Sequence, residues 1–166
     1  MQFRVEHAYE GVTFPEYETI HFDEAFNAAL CEATKLGREV LKLERTPERI
    51  VRHTRIEPAR EIPGPVAKLL GGKRFSYVEE LEYEIGKGRG RWRTIPNIMP
   101  EKIDSRGTLE LVATPNGVKR VVAGDIKVSV FGIGGIIEKF VVNDVEKSYE
   151  AAAEFTRRYL RERAKG

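Results

Sequence analysis

The sequence predicts an α+β fold: a curved antiparallel sheet of about six to seven strands wrapped around a long C-terminal helix, with two short helices after the first strand. Three observations carry this expectation. The last thirty or so residues repeat their apolar positions with a period near 3.6. Most of the chain ahead of them repeats with a period of two. The joints between the period-two runs hold turn residues, above all Asn116-Gly117, a strong hairpin signal.

Taken in order, residues 2–9 form the first strand, with Phe3, Val5, His7 and Tyr9 on one face. A short helix starts near Thr13, with Pro15 at an early helical position. A second is capped by Asp23 and turns Phe26, Leu30 and Ala33 inward. Residues 38–45 and 49–57 pair around Thr46-Pro47-Glu48. Pro63-Gly64-Pro65 then leads into one or two helical turns over Val66–Leu70. Residues 74–85 place Phe75, Tyr77, Leu81, Tyr83 and Ile85 on one side, and the glycines at 86, 88 and 90 turn the chain into 90–95. Residues 105–113 align Gly107, Leu109, Leu111 and Ala113, and residues 118–131 align Val122, Gly124, Ile126, Val128 and Val130. The closing helix covers about 135 to 162, with apolar residues at Ile136/Ile137, Phe140/Val141, Val145, Tyr149, Ala152/Ala153, Phe155 and Tyr159/Leu160. It would be roughly 40 Å long. Arg157, Arg158, Arg161 and Arg163 suit the negative end of its dipole.

Composition removes several function classes. The chain has 166 residues, with Lys+Arg 28 against Asp+Glu 26, a formal charge of +2. That balance does not suit a bulk nucleic-acid binder, and no nucleic-acid partner is expected. One cysteine, Cys31, excludes an internal disulfide and any multi-thiolate metal site. No HxH, HExxH or CxxC spacing occurs, so neither metal nor cofactor is expected. The first residues hold no apolar run of signal-peptide length, and the least charged stretch, 128–137, is half a membrane span. A single cytoplasmic domain over residues 1–166 is the expectation.

The order of elements resembles the START-like helix-grip superfamily, also called SRPBCC, and within it an uncharacterised bacterial branch. The resemblance runs through Ile62-Pro63-Gly64-Pro65-Val66 to Leu70-Gly71-Gly72, Tyr77-Val78-Glu79-Glu80, Arg93-Thr94-Ile95-Pro96 and Lys102-Ile103 to Gly107-Thr108. It ends with Phe131-Gly132-Ile133-Gly134-Gly135-Ile136-Ile137-Glu138-Lys139 and Phe155-Thr156-Arg157-Arg158-Tyr159-Leu160. The resemblance implies a pocket between sheet and helix for a hydrophobic small molecule or lipid, with transient membrane contact. The superfamily hosts carriers and enzymes alike, so a polyketide-cyclase-like enzyme is the second reading.

The candidate ligand-contacting residues are His7, Arg52, Thr54, Tyr77, Glu79, Trp92, Ile126 and Val128; none is assigned a catalytic role. His7 shares the inward phase of Phe3 and Val5, whereas His53 should point outward. Arg52 and Thr54 share the phase of Ile50 and Ile56, and Glu79 that of Tyr77 and Leu81. A lone charge on an apolar wall is costly, so Arg52 and Glu79 should pair with each other or meet a ligand's polar end; an ion pair at the sheet margin is the alternative. In a cyclase, His7, Arg52, Glu79 and Tyr77 would polarise a carbonyl or shuttle protons. Tyr77, Tyr83 and Trp92 would add aromatic wall with hydrogen-bonding tips. The basic run Lys87, Arg89, Arg91 and Arg93 is answered across a hairpin by Glu80, Glu82 and Glu84. Gly132-Ile133-Gly134-Gly135 lacks a P-loop's Lys and Ser/Thr and is a tight approach onto the last helix. Cys31 should be a small buried hydrophobe.

Overall fold

The computed structural model describes residues 1–59 and 61–166. Among these residues are seven strands, β1 (Gln2–Glu10), β2 (Leu36–Arg45), β3 (Arg49–Pro58), β4 (Tyr77–Glu84), β5 (Arg89–Pro96), β6 (Ile103–Thr114) and β7 (Gly117–Val128). Four helices accompany them: α1 (Phe14–His21), α2 (Glu24–Ala33), α3 (Gly64–Leu70) and α4 (Gly134–Lys165). The strands form one antiparallel sheet in the order β1-β7-β6-β5-β4-β3-β2. Strands β2 to β7 pair antiparallel in chain order, with α3 in the connection from β3 to β4, and β1 lies at the far edge against β7. The sheet curves, and α4 lies across its inner face, packing on β7 and β1.

Local chemistry sets the boundaries. Thr13 and Glu16 form a reciprocal capping box at α1, with Pro15 in the first turn. The Asp23 carboxylate accepts from the Phe26 N–H and starts α2. Two turns of helix at α3 end where Gly71 turns left-handed (φ 56°). Before α4, Gly132 has a φ of +80°, and a Cβ on Gly134 would lie 2.4 Å from the Val128 carbonyl. Those two glycines let the chain fold sharply from β7 onto the sheet's inner face.

The core alternates as the period-two reading requires, with Phe3, Leu81, Tyr83, Leu109, Leu111, Val122 and Ile126 buried. Ala33 and Ala113, expected inside, are exposed. Each is the last or next-to-last residue of its element, where the partner surface has run out. Strand β4 starts at Tyr77 rather than 74, and β7 stops at Val128 rather than 131, because the Phe131–Ile133 turn redirects the chain. Helix α4 extends past the expected 162 to Lys165.

Candidate functional site

Between the concave sheet and α4 lies a cavity of about 300 Å³. Seven of the eight residues singled out from the sequence line it: Arg52 and Thr54 on β3, Tyr77 and Glu79 on β4, Trp92 on β5, and Ile126 and Val128 on β7. His7 points inward but is not part of this wall. It sits where β1 meets α4, and its Nε2 is 3.0 Å from the Glu150 carboxylate. Tyr83 also differs from expectation, for its hydroxyl donates to Glu18 Oε2 at 2.7 Å instead of tipping the cavity wall.

The wall has two characters. Toward α3 and the start of α4 it is apolar, with Val66, Leu69, Ile98, Val128, Ile137 and Val141. Toward α1, α2 and the middle of α4 it carries Arg52, Arg120, His21, Thr54, Glu79 and Tyr149. Trp92 is held between these halves. Its Nε1 donates to the Thr108 carbonyl at 3.1 Å, and its ring lies against the facing glycines Gly107 and Gly124.

Arg52 and Glu79 do meet, at 3.8 Å, a loose pair beyond hydrogen-bond reach. Arg52 is also 3.6 Å from Glu24, whose other oxygen is taken by Arg38 at 2.6 Å. The Arg52 guanidinium stacks over Phe22, and both residues also line a second hollow with Thr19, Asp23 and Leu43.

Arg120 went unrecognised in the sequence. It is 4% exposed, and among the described residues it forms no ion pair within 4 Å. Its guanidinium stacks on the rings of Tyr9 and Tyr149. Its Nη2 lies 3.2 Å from His7 Nδ1. A guanidinium can only donate, so Nδ1 accepts, and the His7 proton on Nε2 is donated to Glu150. The nearest carboxylate therefore serves Arg120 only at one remove.

Burial, then the Arg120 and Arg52 guanidiniums, pulls His21 down from 6.5 to about 3. The folded protein thus refuses a proton that the unfolded chain accepts. The associated stability is complete above pH 6.5 and is lost as the pH falls toward 3. Urea unfolding at pH 6.5 and 4.5 should show the parent losing about 2 kcal/mol more than His21→Phe. Equal losses in the two proteins would remove His21 as the cause. Burial also pushes the Tyr149 hydroxyl and the Cys31 thiol up, so neither ionises near neutrality.

Elsewhere the charges answer one another. Arg93 pairs with Glu80, and Arg89, ahead of Lys87, holds Glu84 down to about 2. Glu82 stands opposite Arg91 in register but bonds Arg49 at 3.1 Å from the neighbouring strand. Among the described residues, no group of three or more His, Cys, Asp or Glu could hold a metal ion. No helix among them is long and apolar enough to cross a membrane.

Sheet and closing helix together define an α+β protein with a cavity between them. The chain belongs to the family described as Protein of unknown function (DUF2505), which matches residues 5–160. None of the curated proteins matches it. Its fold is shared by TTHA0849 from Thermus thermophilus, at 20% identity and a TM-score of 0.60, covering 93% of this chain and 96% of that one. Protein Ms6760 from Mycobacterium smegmatis is similar at 9% identity and a TM-score of 0.62, covering 96% and 90%. Protein CV1439 from Chromobacterium violaceum gives 10% and 0.60, covering 94% and 97%.

Proposed function

We propose that this protein binds, and carries or senses, a hydrophobic small molecule or lipid in the cavity between its sheet and α4, in the manner of START-like (SRPBCC) helix-grip domains. The observation that supports the reading is the cavity itself: an apolar-walled space with a few polar groups gathered at one end, the usual make-up of a small-molecule site. At about 300 Å³ it suits one chain or a small ring system, not a two-chain lipid. Leu69, Val130 and Ile137 lie on the wall, while their neighbours Phe131 and Ile136 are exposed. That lip fits cargo exchange at a membrane surface. The lone thiol, Cys31, suits a reducing, cytoplasmic setting. The cyclase-like reading is weaker because His7 lies off the cavity wall and His21, which is on it, is held uncharged near neutrality by burial and the two guanidiniums. Trp92 is the single tryptophan and lines the cavity, so its fluorescence should report uptake of a neutral probe such as dodecanol. Saturable quenching or enhancement is the expected result, with an apolar molecule co-purifying in native mass spectrometry. An unchanged spectrum together with an empty protein would overturn the reading.

A further inference from the structure

Two arginines at one end of an apolar cavity pose a physical problem. Isolated buried charge is tolerated only when paired and hydrogen-bonded. Yet Arg120 Nε and Arg52 Nε and Nη1 are buried without a hydrogen-bond partner. Arg52 is 8% exposed and Arg120 4%. They stand on β3 and β7, far apart in sheet order, but curvature brings both charges to bear on His21 and Tyr149. The lining includes three arginines, Arg38, Arg52 and Arg120, against two carboxylates, Glu79 and Asp144. Arg38 is committed to Glu24, and the Glu79 contact to Arg52 is long. Among the described residues, neither Arg52 nor Arg120 therefore has a carboxylate within hydrogen-bond reach.

Resting on the cavity-binding function proposed above, we infer that the cargo is an anionic amphiphile, its carboxylate or phosphate head held by Arg120 and Arg52 and its single chain running along the apolar wall toward α3. The head supplies the counter-charge that the two guanidiniums lack and accepts from the guanidinium N–H groups that reach the cavity, and charge-assisted hydrogen bonds of this kind are the strong ones. Tyr149 stacks on Arg120 and stays protonated, leaving its hydroxyl able to donate beside the head. The cavity selects against a neutral chain because an alcohol cannot neutralise the two charges that it would further desolvate.

The test uses the full chain at pH 8 with Trp92 fluorescence or calorimetry, comparing dodecanoate, dodecyl phosphate, dodecanol, acetate and inorganic phosphate. At least one of the two acidic chains should bind about tenfold to a hundredfold tighter than dodecanol. Acetate and inorganic phosphate should bind far more weakly than either. In Arg120→Met the preference for the acidic head over dodecanol should fall about tenfold, through weaker binding of the acid, tighter binding of dodecanol, or both. Equal binding of dodecanol and both acidic chains by the parent overturns the anionic head and leaves the hydrophobic-cargo reading standing. Binding of inorganic phosphate as tight as dodecyl phosphate overturns the amphiphile in favour of a free anion. If no chain binds at all, both readings fall. The parent comparison decides the question even where Arg120→Met does not fold.

Discussion

Gly107→Ala should unfold about 3 kcal/mol more easily than the parent, and Gly124→Ala somewhat less so, although strand propensity alone favours any side chain over glycine. The two glycines face each other across β6 and β7 and leave a slot for the Trp92 ring. A Cβ on Gly107 would fall 1.9 Å from the Ala123 carbonyl oxygen and 2.6 Å from Trp92 Cζ2. One on Gly124 would fall 2.5 Å from the same ring atom and 2.9 Å from the Arg106 carbonyl. A ring can swing into the cavity, but paired backbone cannot yield without breaking the ladder, so the Gly107 variant suffers more. Thermal unfolding should fall by roughly 6–12 °C for that variant. The Trp92 emission of the Gly124 variant should shift as the ring is displaced. Unaltered stability in both variants would mean that the sheet is more open here than these distances say.

Ile126→Trp is the second large effect. Ile126 is buried on the cavity wall, so a larger ring in its place has the void on one side to grow into. Filling a void of this kind typically adds about 0.5–2 kcal/mol of stability. Uptake of the twelve-carbon probes should fall about a hundredfold or more, because the chain and the indole compete for one volume of about 300 Å³. A variant with raised melting temperature and intact binding would place the cargo somewhere other than this cavity. The indole added at 126 complicates fluorescence, so calorimetry is the measurement of choice.

Much of the fold was legible because two periods are hard to confuse. The 3.6-residue repeat of α4 runs from Ile137 to Leu160 without a break, and each hairpin has turn chemistry at its joint. Arg52 and Glu79 were legible because each interrupts an apolar alternation, and both line the cavity. Arg120 carried the same signal, standing two residues before Val122 on the inward phase. Its place just after the Asn-Gly turn, where charge is normally solvated, masks that signal. His7 shows the opposite limit. Alternation gives the face of a strand, and His7 does face inward. It cannot say that α4 lays Tyr149 and Glu150 over that part of the face, closing it off from the space further along. The polar end of the cavity is likewise a product of curvature, since His21 on α1 meets charges from both β3 and β7.

The place of β1 in the sheet has a further consequence, which concerns how the chain is born. Its sheet partner is β7, with Phe3 opposite Gly124 and Tyr9 opposite Val118. At a synthesis rate of about 5–20 residues per second, the first strand waits on the order of ten seconds for its neighbour to leave the ribosome. Helix α4, which covers His7 and roofs the cavity, is made later still. The hairpins from β2 to β6 can pair as they emerge, but the hollow and its two arginines come together only when the ends of the chain meet. Such long-range closure makes for slow final folding. A cargo present at that moment would find an open sheet, with its apolar wall still uncovered.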